Sequence, residues 1–158
     1  MMADHTPRPS VAASLERDTV VWLSSVRPDG APHVVPLWFI WDGESILVFS
    51  KPGAQKVRNI RADPRVMIAV GEPGLDFDVE LVDGLAELAP GPVAGTAWDA
   101  FARKYASVAN RAGITIPRFA ATYTQTIRIR PRRWLGWGGE GWRQGSSERR
   151  VSPRSRRL

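Results

Sequence analysis

Polar and apolar positions divide the chain into short alternating runs and a few helical stripes. Ser10 can cap a short helix running through Glu16, with Val11 and Leu15 on one face. Thr19 to Val26 reads as a strand of β-branched and aromatic residues. The turn Pro28-Asp29-Gly30 joins it to a second strand, Pro32 to Trp41, as a hairpin. That second strand is nearly all apolar after His33, so both of its faces are expected to be covered. Asp42-Gly43 turns the chain into a third strand, Glu44 to Ser50. Pro52 suits the first turn of a helix, Gln55 to Ala62 continue it, and Asp63-Pro64 stops it. Arg65 to Val70 and Asp76 to Leu88 are the fourth and fifth strands, with Gly84 marking a bulge. Ala94, Trp98, Phe101, Tyr105 and Val108 recur at helical spacing within a helix from Val93 to Val108. Thr122 to Arg130 is the sixth strand, broken at Pro131 and resuming from Trp134 to Trp137. Six strands linked by hairpins, with two to three helices, predict a mainly β (α+β) fold built on an antiparallel split barrel.

Composition narrows the chemistry. The 158 residues suit one domain with a core of its own. The absence of cysteine excludes disulfides, thiolate metal sites and a cysteine nucleophile, and it fits a reducing cytoplasm. No signal peptide is evident, and the run Val34 to Trp41 is too short to cross a bilayer as a helix. The net charge of +6 raises the question of nucleic acid. Six Arg and one Glu lie between Arg143 and Leu158, so most of that charge sits in a Ser/Pro/Arg tail. We expect a flexible N-terminus at residues 1–9, a folded domain at 10–142 and a solvated basic tail at 143–158, rather than a nucleic-acid reader.

One segment carries candidate chemistry. Phe49-Ser50-Lys51 brings a hydroxyl and an ammonium to a strand end, just before a helix N-terminus. Gln55, Lys56 and Asn59 follow on that helix, the last two at i and i+3 on one face. Donors, positive charge and free helix N–H groups are what an anion site needs. Pro36 withholds a ladder N–H in the preceding apolar strand, freeing backbone groups there. No residue reads as a required acid or base. His33 is a lone strand histidine, and His5 is too distant in the chain to share a metal with it.

The run Pro28 to Phe39, then Ser50-Lys51, then Lys56 to Val66 with its Lys-x-x-Asn-x-x-x-Asp-Pro-Arg pattern, resembles the pyridoxamine 5′-phosphate oxidase-like split-barrel superfamily. More narrowly, it resembles the actinobacterial flavin/deazaflavin oxidoreductase group. The resemblance implies a homodimer with two cofactor sites at its interface, reducing a small organic substrate. It implies coenzyme F420 as the cofactor, with FMN as the alternative and a non-catalytic cofactor- or haem-binding protein as a further one. His33, Val34, Val35, Pro36, Leu37 and Trp38 would lie along the tricyclic ring. Phe49, Ser50 and Lys51 would approach the ribityl chain and phosphate, and Gln55, Lys56 and Asn59 would complete the anion site. A residue near Trp137 of a second subunit would cover the ring. The segment Arg130 to Trp134 does not match the substrate-binding pattern of the biosynthetic oxidases, so the resemblance does not extend to vitamin B6 synthesis.

Overall fold

The computed structural model describes residues 7, 9–71, 79–90 and 95–137. The expected basic tail and most of the expected flexible N-terminus lie outside these residues, as do Asp76 to Asp78 and Val93-Ala94 of two expected elements. Helix α1 is Pro9–Arg17, and strands β1 (Val21–Val26) and β2 (Pro32–Leu37) form the first hairpin. Strand β3 (Phe39–Trp41) pairs with β4 (Ile46–Ser50), and helix α2 is Gln55–Ala62. Then come β5 (Arg65–Val70), β6 (Val79–Leu88), α3 (Thr96–Arg111), α4 (Ile116–Thr122) and β7 (Gln125–Trp137).

Seven strands, not the expected six, form one antiparallel sheet in the order β2-β1-β5-β6-β7-β4-β3. The extra strand comes from the apolar run that reads as one strand from Pro32 to Trp41. It breaks at Trp38, because β2 pairs with β1 while β3 pairs with β4 at the other end of the sheet. The two edge strands are therefore one residue apart in the chain, and successive Cα atoms are about 3.8 Å apart. The sheet must curl until its edges meet at Trp38, leaving a barrel closed by the chain and split between β2 and β3.

The sixth expected strand is also different: β7 runs unbroken through Pro131. Asp83 pairs with Arg133 and Gly84 with Pro131, so Arg132 is the additional residue of a bulge. A proline without an N–H is tolerated at such a point. Gly84 is needed opposite it, since a Cβ there would lie 2.8 Å from Ile129 Cγ2 and 3.1 Å from the Arg130 carbonyl oxygen. The fourth helix, α4, was not expected.

Alternation sets the inner face. Val21, Leu23, Ile46, Val48, Val66, Ile68, Val82, Ile127 and Ile129 fill the barrel, joined by Val11 and Leu15 of α1 and Val57 and Ile60 of α2. β4 is buried on both faces, because Leu47 and Phe49 turn outward under Phe101 and Tyr105 of α3 and Phe119 of α4. The outer face of β1 and β2 is not covered. Trp22 is 51% exposed and Val34 is 54% exposed, beside exposed Val26, Pro32 and Pro36. The expectation that the run from Pro32 to Trp41 is covered on both faces is met at Phe39 and Ile40 of β3, while the outer face of β2 is left open within one chain.

Candidate functional site

The site begins where β4 delivers Ser50. The chain turns over Lys51 to Ala54, held by the Ala54 N–H donating to the Lys51 carbonyl at 3.1 Å. Helix α2 starts at Gln55, with extended Ala54 as its N-cap and no side-chain cap. The Val57 N–H donates to the Ala54 carbonyl at 3.0 Å, and the alanine side chain has no oxygen to cap the rest, so the Gln55 and Lys56 N–H groups face the positive helix end as donors for an anion. Pro52 lies in the turn before the helix, not in its first turn as expected.

Two side chains of α2 tie it to both sides of the split. Lys56 Nζ donates to Ser50 Oγ on β4 at 3.1 Å, and Ser50 Oγ donates to the Lys51 carbonyl at 3.2 Å. Asn59 Nδ2 donates to Ser25 Oγ on β1 at 3.0 Å, while Asn59 Oδ1 accepts from Gln55 Nε2 at 2.7 Å. Arg58 steadies the turn by donating to the Gly53 carbonyl at 2.6 Å. Across the first hairpin, Ser25 pairs in register with His33. The His33 Nδ1 atom is buried and has no hydrogen-bond partner among the described residues.

Positive charge accumulates in this cluster. Burial, then the charge of Lys51, holds Lys56 below the ordinary lysine pKa. Burial, then the charges of Arg27 and Lys56, holds His33 below the ordinary histidine value. Lys56's close contact is a neutral hydroxyl rather than a carboxylate. A negatively charged group entering here would gain charge-assisted hydrogen bonds at little reorganisation cost.

The residues expected at the site separate into three places. His33, Ser50, Lys51, Gln55, Lys56 and Asn59 gather around the first turns of α2. Val35 and Leu37 pack against the barrel core, while Val34 and Pro36 face outward. Trp38 and Phe49 belong to the second cluster: Trp38 stacks on Tyr105 at 4.7 Å, and Phe49 packs edge-on to Phe101 at 4.8 Å. Phe49 is buried, so its side chain packs under α3 and does not face a ligand. Ser25 and Arg27 were not anticipated. Ser25 carries a readable signal, since it is a polar residue on the inward register of Val21 and Leu23. An open cavity of about 370 Å³ lies on the far side of Ser25, lined by Val26, Asp63, Arg65, Met67 and Asp83 among others. It sits beside the C-terminal end of α2 rather than over Lys56. Among the described residues no group of three or more His, Cys, Asp or Glu could hold a metal ion, and no helix is long and apolar enough to cross a membrane.

The family model for pyridoxamine 5′-phosphate oxidase matches residues 8–138, which takes in the whole barrel, the split and the α2 cluster. The chain belongs to this family. Within the pyridoxamine 5′-phosphate oxidase fold, solved structures show the same barrel. An F420 reductase is 32% identical with a TM-score of 0.62, covering 82% of this chain and 98% of that one. An FAD-binding protein from Mesorhizobium loti is 25% identical with a TM-score of 0.57, covering 80% and 89%. The haem storage protein HutZ from Vibrio cholerae is 18% identical with a TM-score of 0.59, covering 84% and 97%, a likeness of fold alone. No curated protein matches the sequence.

Unfolded histidine takes a proton near pH 6.5, but folded His33 takes it at lower pH. Stability is therefore full above pH 6.5 and falls as pH drops through the window below it. Wild type should lose stability relative to His33→Gln as the pH falls below about 6.5, and sulfate should reduce that loss by compensating the imidazolium. Thermal unfolding of both proteins at several pH values, with and without sulfate, measures this. Parallel pH profiles would remove His33 from the cationic cluster.

Proposed function

We propose that the chain is an oxidoreductase that binds coenzyme F420 along the split and reduces a small organic substrate with it. The observation that carries this reading is the α2 cluster: Lys56 and Ser50 joined at an uncapped helix N-terminus, beside the orphaned His33 Nδ1. This donor set fits a phosphate. Lys56, Lys51 and the Gln55 and Lys56 N–H groups of α2 would hold it, and the Gln55 side chain would add an amide.

β2 is an edge strand, so one of its sides offers unpaired N–H and C=O groups to the split. Those groups suit the amide-like edges of a tricyclic ring. The bound reduced deazaflavin would supply a hydride, and the chain's own part is to bind, orient and exclude water. No side chain is assigned as an acid or base. The 32% identity to an F420 reductase favours F420. The FAD-binding protein at 25% identity favours a second reading, an FMN-dependent oxidoreductase holding the same phosphate. Fluorescence titration of the purified protein with F420 and with FMN separates the two. Tight FMN binding without F420 binding would leave only the second.

The outer face of β1 and β2 supports a homodimer. Trp22, Val26, Pro32, Val34 and Pro36 form an exposed apolar surface at the strand that borders the split. A second copy packed there would cover this surface and close the ring seat. Sedimentation velocity should give twice the chain mass of 17.5 kDa, and a monomer at micromolar concentration would refute this arrangement.

A further inference from the structure

The corner from which the split opens is held by a residue of neither edge strand. Tyr105 on α3 is fully buried, and its hydroxyl reaches three backbone groups. It accepts from the Phe39 N–H at 2.8 Å, and its own proton is directed at the Phe39 carbonyl at 2.8 Å and the Thr19 carbonyl at 2.9 Å. Phe39 is the first residue of β3, and Thr19 lies two residues before β1. Both polar groups of Phe39 thus turn toward the split, where no neighbouring strand can meet them, and the phenol takes the neighbour's place.

The ring of Tyr105 does a second job. It lies 4.7 Å from the indole of Trp38 with only 12° between planes, and Trp38 is the single residue joining β2 to β3. Phe119 of α4 stacks on the same indole at 5.5 Å. The neighbouring Lys104 places its ammonium 3.9 Å from the centre of the Phe39 ring and donates to the Leu15 carbonyl of α1 at 3.1 Å. Consecutive residues of α3 therefore grip the side chain and the backbone of Phe39. Burial raises the Tyr105 pKa above that of an ordinary phenol, so the group is a neutral donor at working pH.

We propose that Tyr105 is a positioning residue for the cofactor ring: its hydroxyl and ring together fix the angle at which β2 and β3 diverge. This rests on the reading of the split as the ring seat. A seat for a flat ring requires its walls to be held to a fraction of an ångström, and a displacement of about 1 Å can cost up to about a hundredfold in function. Other cross-links tie α2 across the split at the anion end, through Ser50 and Ser25. Tyr105 is the corresponding tie at the ring end.

The test is Tyr105→Phe, which keeps the ring and removes the hydroxyl. Three readouts are compared with wild type: dissociation constants for F420 and FMN, the visible absorption of bound FMN, and amide exchange at Phe39. The expected result is about tenfold or more weaker binding of whichever cofactor the wild type binds, with the bound spectrum shifted toward that of free FMN. Exchange at Phe39 should accelerate while the amides of α3 stay protected.

Ala109→Gly, a buried α3 position away from the split, serves as the destabilised control and should keep wild-type affinity. Trp38→Leu, which removes the stacked indole but not the hydroxyl bonds, should weaken binding as Tyr105→Phe does. The inference is overturned if Tyr105→Phe binds with wild-type affinity and spectrum, or if Ala109→Gly loses as much affinity. If the wild type binds neither F420 nor FMN, the reading of the site fails and takes the inference with it.

Discussion

Lys56→Ala is expected to weaken binding of the anionic cofactor about ten- to a hundredfold. A charge-assisted contact to phosphate is worth about 1.5–3 kcal/mol, and about 1.4 kcal/mol is a factor of ten. The same substitution should leave the fold intact. Lys56 is half-buried and held below the normal lysine pKa by burial and by Lys51, so its charge is disfavoured where it stands. Removing it relieves that cost, while Ser50 Oγ keeps its contact with the Lys51 carbonyl. Thermal unfolding of Lys56→Ala should therefore match or exceed wild type, the usual signature of a residue kept for binding at the expense of stability. A cofactor titration with unchanged dissociation constant would remove Lys56 from the site. A large drop in melting temperature would make it structural.

The opposite behaviour is expected three residues further on. Asn59→Leu should lower the melting temperature by about 2–12 °C, because each kcal/mol moves a domain of this size by about 2–4 °C. Asn59 is fully buried, and its amide satisfies Ser25 Oγ and Gln55 Nε2 together. Leucine preserves volume but leaves the Ser25 hydroxyl, itself 2% exposed, without its donor. A buried polar group abandoned in this way costs about 1–3 kcal/mol, and the link from α2 to β1 is lost with it. Calorimetry of the variant measures the effect. Unfolding within about 2 °C of wild type, a shift worth roughly 1 kcal/mol or less, would show that α2 is held by Val57 and Ile60 alone.

These two neighbours illustrate what was legible beforehand. The spacing of Lys56 and Asn59 places them on one helix face, and the structure keeps them there, but their tasks differ because their partners lie on opposite sides of the split. Local signals were read well. Asp29-Gly30 and Asp42-Gly43 form turns with positive φ at both glycines, and Asp63-Pro64 ends α2. Gly84 does mark a bulge.

Non-local facts were not readable. The run from Pro32 to Trp41 has no internal turn signal, and its break at Trp38 exists only because the sheet curls to meet itself. Pro131 looks like a strand end until the bulge opposite Gly84 is seen. Helix α4 is seven residues long, too short to show a periodicity, although Thr115 caps it by accepting from the Arg118 N–H at 3.3 Å. Phe49 alternates as a strand residue should, yet nothing local says that α3 buries its side chain. Around α2, the proximity of Ser50, Lys56 and Asn59 follows from their spacing in the chain. The bond from the Phe39 N–H to the Tyr105 hydroxyl spans 66 residues and has no local signature.

The most direct test of the account is a crystal structure of the protein with F420 bound. The cofactor's phosphate is expected within hydrogen-bonding distance of Lys56 Nζ and the Gln55 and Lys56 N–H groups of α2, with the ring along β2 toward Trp38. A phosphate found instead at the Asp63–Arg65 cavity, or a ring seated away from the split, would contradict it.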